Sequence, residues 1–98
     1  MTFDKREELI SLYDVYGCLL TDKQKSYFEE YYFDDLSFSE IASNHGISRN
    51  GVFDQIKRVA NILSEYEEKL NLLKKMKKIE DLSLDDNIKN EILEIIKE

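Results

Sequence analysis

Proline is absent from the 98 residues and glycine stands at only three positions, so little in the chain can interrupt a helix. An all-α fold is the expectation. Cysteine is nearly absent too: Cys18 stands alone, which excludes an internal disulfide or a cysteine-rich metal site and leaves it as a small core or near-surface residue. His45 is the single histidine. With no second ligand at metal spacing, it reads as a partly buried packing residue rather than a metal ligand or a catalytic base. Positive charge is in deficit, with 14 Lys and Arg against 21 Asp and Glu and a formal net charge of -7. No apolar run approaches the ~20 residues that cross a bilayer, and the N-terminal stretch MTFDKREELI holds no secretory core, so a cytoplasmic location is expected. Neither a phosphate-binding glycine loop nor a Cys/His pairing is present, and the carboxylates lie on solvated helix faces. The reading is a protein without enzymatic activity, cofactor or metal.

What is present is a series of capping signals. With 42% hydrophobic residues the chain suffices for one small core, and one helical domain is expected over residues 1–98. Thr2 can cap a first helix from Phe3 to Tyr16, with Phe3, Ile10, Tyr13, Val15 and Tyr16 as its apolar positions and Gly17 as its stop. Thr21 and Gln24 form a capping box that opens a second helix, running to about Phe33, whose aromatic residues Tyr27, Phe28, Tyr31, Tyr32 and Phe33 are expected in the core.

The stretch SFSEIASNHGISRNGVFDQIKRV, Ser37 to Val59, carries the strongest signal. Ser37 and Glu40 repeat the capping box, Leu36 and Ile41 stand at staple spacing, Gly46 suits a left-handed helix end, and Ser48 caps the next helix. Ile47 can fold back on Ala42 and also stands at staple spacing to Val52. Two caps and two staples around one short turn define a helix-turn-helix at residues 37–59, with Ile41, Ile47, Val52 and Ile56 as its small core.

Beyond the turn, Val52, Ile56, Val59, Leu63, Tyr66, Leu70 and Leu73 alternate spacings of four and three like a coiled-coil seam. They predict one long fourth helix from Arg49 to about Ile79, roughly 46 Å at 1.5 Å per residue. Its far end requires packing against the first helix, against the last segment, or in a homodimer through the long helix. Residues 60–98 form a C-terminal helical extension in which Ser83 suggests a new cap, followed by a helix bearing Ile88, Ile92, Leu93 and Ile96.

With Val52, Ile56 and Val59 turned inward, Arg49, Asn50, Phe53, Asp54 and Lys57 fall on the outer face, with Arg58 adjacent in sequence. Arg49 and Asn50 suit base edges or phosphates at a helix N-terminus. Asp54 repels phosphate, and Phe53 suits a thymine methyl, an unpaired base or a protein contact. Arg49, Lys57 and Arg58 neutralise at most three phosphates, a salt slope of about -2.7, so one copy should bind duplex DNA weakly. A second basic patch, Lys69, Lys74, Lys75, Lys77 and Lys78, reads first as cations that complement a helix C-terminus, and second as a contact for a nucleic-acid backbone or an acidic protein.

From Leu12 to Val59 the chain resembles the YlxM-like family of small bacterial helix-turn-helix proteins. The likeness lies in Tyr16, Gly17, Leu19, Leu20, Thr21, Lys23 and Gln24, then the DLS, EIA and GISR segments ahead of Val52, Asp54, Ile56 and Arg58. The helix-turn-helix is also similar to region 4 of bacterial sigma factors, which binds promoter DNA. The family resemblance implies a cytoplasmic regulatory accessory factor of the signal recognition particle pathway, with the particle's RNA or its GTPase as partner, or else DNA. Arg49, Asn50, Phe53, Lys57 and Arg58 would be the nucleic-acid-binding face; a protein adaptor on the same scaffold, or a DNA-binding transcription regulator, is the alternative. Two positions depart from the family pattern: Gly51 inside a helix, at a cost of about 1 kcal/mol, and His45 where an apolar residue is usual.

Overall fold

The computed structural model describes residues 3–98; the Thr2 cap lies outside them. Within the described residues the protein is all-α, without strands. Helices α1 (Phe3–Tyr16), α2 (Asp22–Tyr32), α3 (Phe38–His45), α4 (Arg49–Leu70), α5 (Leu72–Glu80) and α6 (Asp86–Lys97) follow one another, with one 3-10 turn, Gly17–Leu19, after α1.

The caps form as their side chains dictate. Thr21 Oγ1 accepts from the Gln24 amide at 3.1 Å while Gln24 Oε1 accepts from the Thr21 amide at 2.9 Å. Ser37 and Glu40 repeat the exchange at 3.1 and 3.0 Å, and those bonds hold the Glu40 carboxyl below its ordinary range. Ser48 Oγ accepts from the Gly51 amide at 2.9 Å. Gly46 takes φ 65°, the left-handed conformation, and the Ile47 amide closes on the Ala42 carbonyl at 3.1 Å, which satisfies an end carbonyl of α3.

One core unites the first four helices. Leu9, Leu12 and Tyr16 of α1, Tyr27, Phe28 and Tyr32 of α2, Ile41 and Ala42 of α3, and Val52, Ile56, Val59 and Leu63 of α4 are all buried. Leu9 and Leu12, not counted among the expected apolar positions of the first helix, face this core directly, whereas Ile10, Tyr13 and Val15 pack at its margin. In α2, Tyr31 is partly buried and Phe33 is exposed, so the expectation that all its aromatics enter the core is corrected. Five neighbouring aromatics cannot share one side of a helix at about 100° per residue.

The single long fourth helix is also corrected. It ends at Leu70, and Asn71 adopts φ 55° before α5 begins at Leu72. α5 turns back along α1, with Met76 buried and Leu72 and Leu73 packed against the core. The seam is therefore consumed by the chain itself: Val52, Ile56, Val59 and Leu63 are covered, and a homodimer through these positions has no surface to use. Tyr66 is partly buried and stacks on Tyr16 at 5.8 Å, while Leu70 is exposed.

The cap of α6 is Asp85, whose Oδ1 accepts from the Asn87 amide at 2.8 Å, rather than Ser83. α6 packs on α5, and its end is tied to α1 by Lys97 and Asp14 at 3.7 Å.

Candidate nucleic-acid interface

The helix-turn-helix is anchored from behind by Glu30. Its carboxylate accepts from Asn44 Nδ2 at 2.8 Å and Ser26 Oγ at 3.0 Å, and Oε2 lies 2.5 Å from His45 Nε2. Burial alone would raise the Glu30 pKa, but the bonds from His45, Asn44 and Ser26 outweigh it and hold the carboxyl below its usual value. Above this pair the His45 ring packs on Tyr27, with centroids 4.4 Å apart. His45 is thus a partly buried packing residue, and its contact with the Glu30 carboxylate gives what an apolar side chain would not: a polar tether between α2 and the end of α3.

With α3 held and the Gly46 turn fixed, α4 leaves in a set direction. Val52, Ile56 and Val59 face inward; Arg49, Asn50, Phe53, Asp54, Lys57 and Arg58 are exposed. Phe53 leaves half its surface to solvent. Successive residues on a helix diverge by about 100°, so Arg49, Phe53 and Lys57 share one flank whereas Arg58 turns away from Lys57. Asn50 and Arg49 line a shallow cleft of about 550 Å³ with Ser48, Phe38 and Phe53. On the other side of the same two phenylalanines, Lys57 joins Lys5, Tyr31, Tyr32 and Asn61 at a second cleft of about 260 Å³.

Lys5, Tyr31, Phe38 and Asn61 were not among the residues expected at this surface. Asn61 continues the flank of α4 four residues after Lys57, whereas Lys5 reaches the cleft through the packing of α1 beside α4, a tertiary placement without a local motif. Phe38 follows the cap Ser37 at the first turn of α3, and a large aromatic directly after a cap residue was the available signal.

The second basic patch is divided by the break at Asn71. Lys69 lies in the last turn of α4, Lys77 and Lys78 occupy the last turn of α5, and Lys74 and Lys75 stand near the beginning of α5. Complementing a helix C-terminus accounts for the first three and not for Lys74 and Lys75. All five are exposed.

No group of three or more His, Cys, Asp or Glu with metal-binding geometry occurs among the described residues. Cys18 is exposed, and no described helix is long and apolar enough to cross a membrane.

The compact α3–turn–α4 unit, capped at both ends and carried on α1 and α2, defines a helix-turn-helix protein. The chain belongs to the UPF0122 family, whose description is "Putative helix-turn-helix protein, YlxM / p13 like" and whose profile matches residues 3–98. Among its relatives, a UPF0122 protein of Bacillus pumilus is 49% identical over 82 residues, which span 84% of this chain and 74% of the relative. The UPF0122 protein YlxM of Bacillus subtilis is 46% identical over the same shares of both chains. A UPF0122 protein of Halalkalibacterium halodurans is 44% identical over 95 residues, 97% of this chain and 78% of the relative.

Proposed function

We propose that this chain is a nucleic-acid-binding helix-turn-helix protein of the cytoplasm, without enzymatic activity, acting as a regulatory accessory factor of the signal recognition particle pathway. The observation that carries the binding half is the exposed flank of α4, where Arg49, Asn50, Phe53 and Lys57 project while the opposite side is locked into the core. A helix presented in this way meets a groove or a loop with its N-terminal residues first. Arg49 and Asn50 are to contact base edges or phosphates, Lys57 and Arg58 phosphates, and Phe53 a base. The pathway half rests on the YlxM-like resemblance, which makes the particle's RNA the first ligand to test and its GTPase the first protein partner.

RNA is favoured over duplex DNA because the recognition helix offers two cations beside a large aromatic ring, Arg49 and Lys57, with Arg58 turned off that flank and an acid at Asp54, a set better suited to a folded single strand than to a run of duplex phosphates. The decisive measurement is retention of the particle's RNA by the whole protein and by an R49A/K57A variant across a range of salt. Loss of retention in a folded variant is expected. Unchanged affinity, or binding insensitive to salt, would assign the surface to a protein partner instead.

A further inference from the structure

The helix-turn-helix leaves part of its aromatic complement outside the core. Tyr31 of α2 stacks on Phe38 of α3 with centroids 5.2 Å apart and planes 24° from parallel. Phe38 in turn meets Phe53 of α4 edge-on at 6.0 Å and 74°. Three helices thus contribute one ring each to a strip, with Tyr31 and Phe38 half-covered and Phe53 half in solvent. The strip forms the wall between the two clefts beside α4.

The charged residues described around the two clefts are of one sign. Among the described residues, neither cleft is lined by an Asp or Glu, although the chain carries 21 of them. Arg49 borders one cleft, and Lys5 and Lys57 border the other. By contrast, the larger cleft between α1 and α5 mixes Lys25, Lys77 and Lys97 with Asp14, Glu29 and Glu80. An aromatic wall with cations on both sides, and with Asp54 outside the lining of either cleft, matches a ligand that is flat, apolar on its faces and anionic along its backbone.

We propose that this strip is a stacking site for an unpaired nucleobase, with Arg49 and Lys57 holding the phosphates on either side of it. The inference rests on the nucleic-acid reading above and adds the form of the ligand. A base within a duplex offers only its edge to a groove, whereas an extruded or loop base offers its face, and a phenylalanine ring recognises faces without regard to sequence. Phe53 supplies the open face, Phe38 fixes its tilt, and the cleft beside Tyr31 provides the depth.

The test compares two RNA hairpins identical except that one carries a single bulged adenosine and the other an abasic residue at the same place. Their phosphates are the same, so any difference in affinity reports the base. The wild-type protein should bind the abasic hairpin about 5- to 150-fold more weakly, the range that stacking on one aromatic ring confers. In F53A that difference should collapse, and F53L, which keeps the apolar bulk without a π-face, should lose most of it too. Equal binding of the two hairpins by the wild type, with affinity still lost in R49A/K57A, would overturn the stacking site while leaving the nucleic-acid reading intact. Failure to bind either hairpin, or the particle's RNA, would overturn both.

Discussion

The Tyr16 hydroxyl, at the end of α1, donates to Glu67 Oε1 near the end of α4 at 2.6 Å and accepts from the Leu72 amide at 3.1 Å. The same carboxylate accepts from the Leu73 and Lys74 amides at 3.0 and 3.1 Å. Glu67 therefore caps α5 from the preceding helix, in place of the side chain of Asn71, which makes no such bond. A carboxylate at a helix N-terminus satisfies orphan amides and faces the positive end of the dipole. Burial first, and then the bond to Glu67, push the Tyr16 phenol above its ordinary pKa.

Removing the hydroxyl should loosen this junction. Y16F deletes a bond to a charged group and leaves the Leu72 amide without its acceptor, a loss of about 1.5–3 kcal/mol. Urea unfolding should show the decrease. E67Q, which keeps one acceptor oxygen, should lose less than E67A, and hydrogen exchange at Leu73 and Lys74 should accelerate in that order.

The break at Asn71 rests on a conformation that most side chains avoid. Asn tolerates the left-handed region better than other non-glycine residues, which otherwise meet a cost of about 1–2 kcal/mol there. N71G should preserve the bend and N71A should weaken it. Combining N71A with E67A removes both the favoured turn residue and the cap, and α4 should then continue into α5. Small-angle scattering should report a maximum dimension longer than that of the wild type, whose principal extent is 49 Å. An unchanged profile would mean that Met76 and Leu73 hold α5 against α1 without help from the junction.

This bend is also where the sequence was least legible. The capping boxes at Thr21 and Ser37, and the Gly46 turn, are local: each is encoded within a few residues and each forms as its spacing implies. The seam from Val52 to Leu73 was visible as an apolar stripe, but a stripe does not state what covers it. Leu9 and Leu12 of α1 help to cover its inner half, and a carboxylate four residues before Asn71 decides where it ends. Both facts depend on contacts across the chain. The same limit applies to the clefts beside α4: Phe53 and Lys57 were legible as outward-facing, while Phe38 and Lys5 reach them only through the packing of three helices.

Acid should weaken the hold on α3 in a defined window. The Glu30 carboxyl is depressed below its ordinary value of 4.5, so the unfolded chain binds its proton more readily than the native one as pH falls. Its contribution to stability is present above that value and is lost as the pH descends through the depressed native value. E30Q should be less stable than the wild type near neutrality, and the gap between them should narrow below about pH 4.5. Thermal unfolding at matched ionic strength from pH 6 down to pH 3 checks this, and a gap that stays constant would deny Glu30 its role as the tether to His45 and Asn44.

The two basic surfaces should separate under salt. Every phosphate that is no longer neutralised reduces the slope of log affinity against log salt by about 0.7 for a single strand and about 0.9 for B-form duplex. R49A/K57A removes two cations from the flank that also carries Phe53, so it should flatten the slope by about 1.4 to 1.8 and lower affinity at every salt concentration. A variant with Lys74, Lys75, Lys77 and Lys78 changed to alanine tests the other surface, whose lysines are exposed around α5. If α4 alone faces the ligand, this second variant should keep the wild-type slope and bind only slightly more weakly through diminished long-range attraction, which fades beyond a Debye length of about 8 Å at physiological salt. A slope reduced by two or more in the second variant would instead place the nucleic-acid backbone along α5, and the recognition helix would then be a support for that contact rather than its centre.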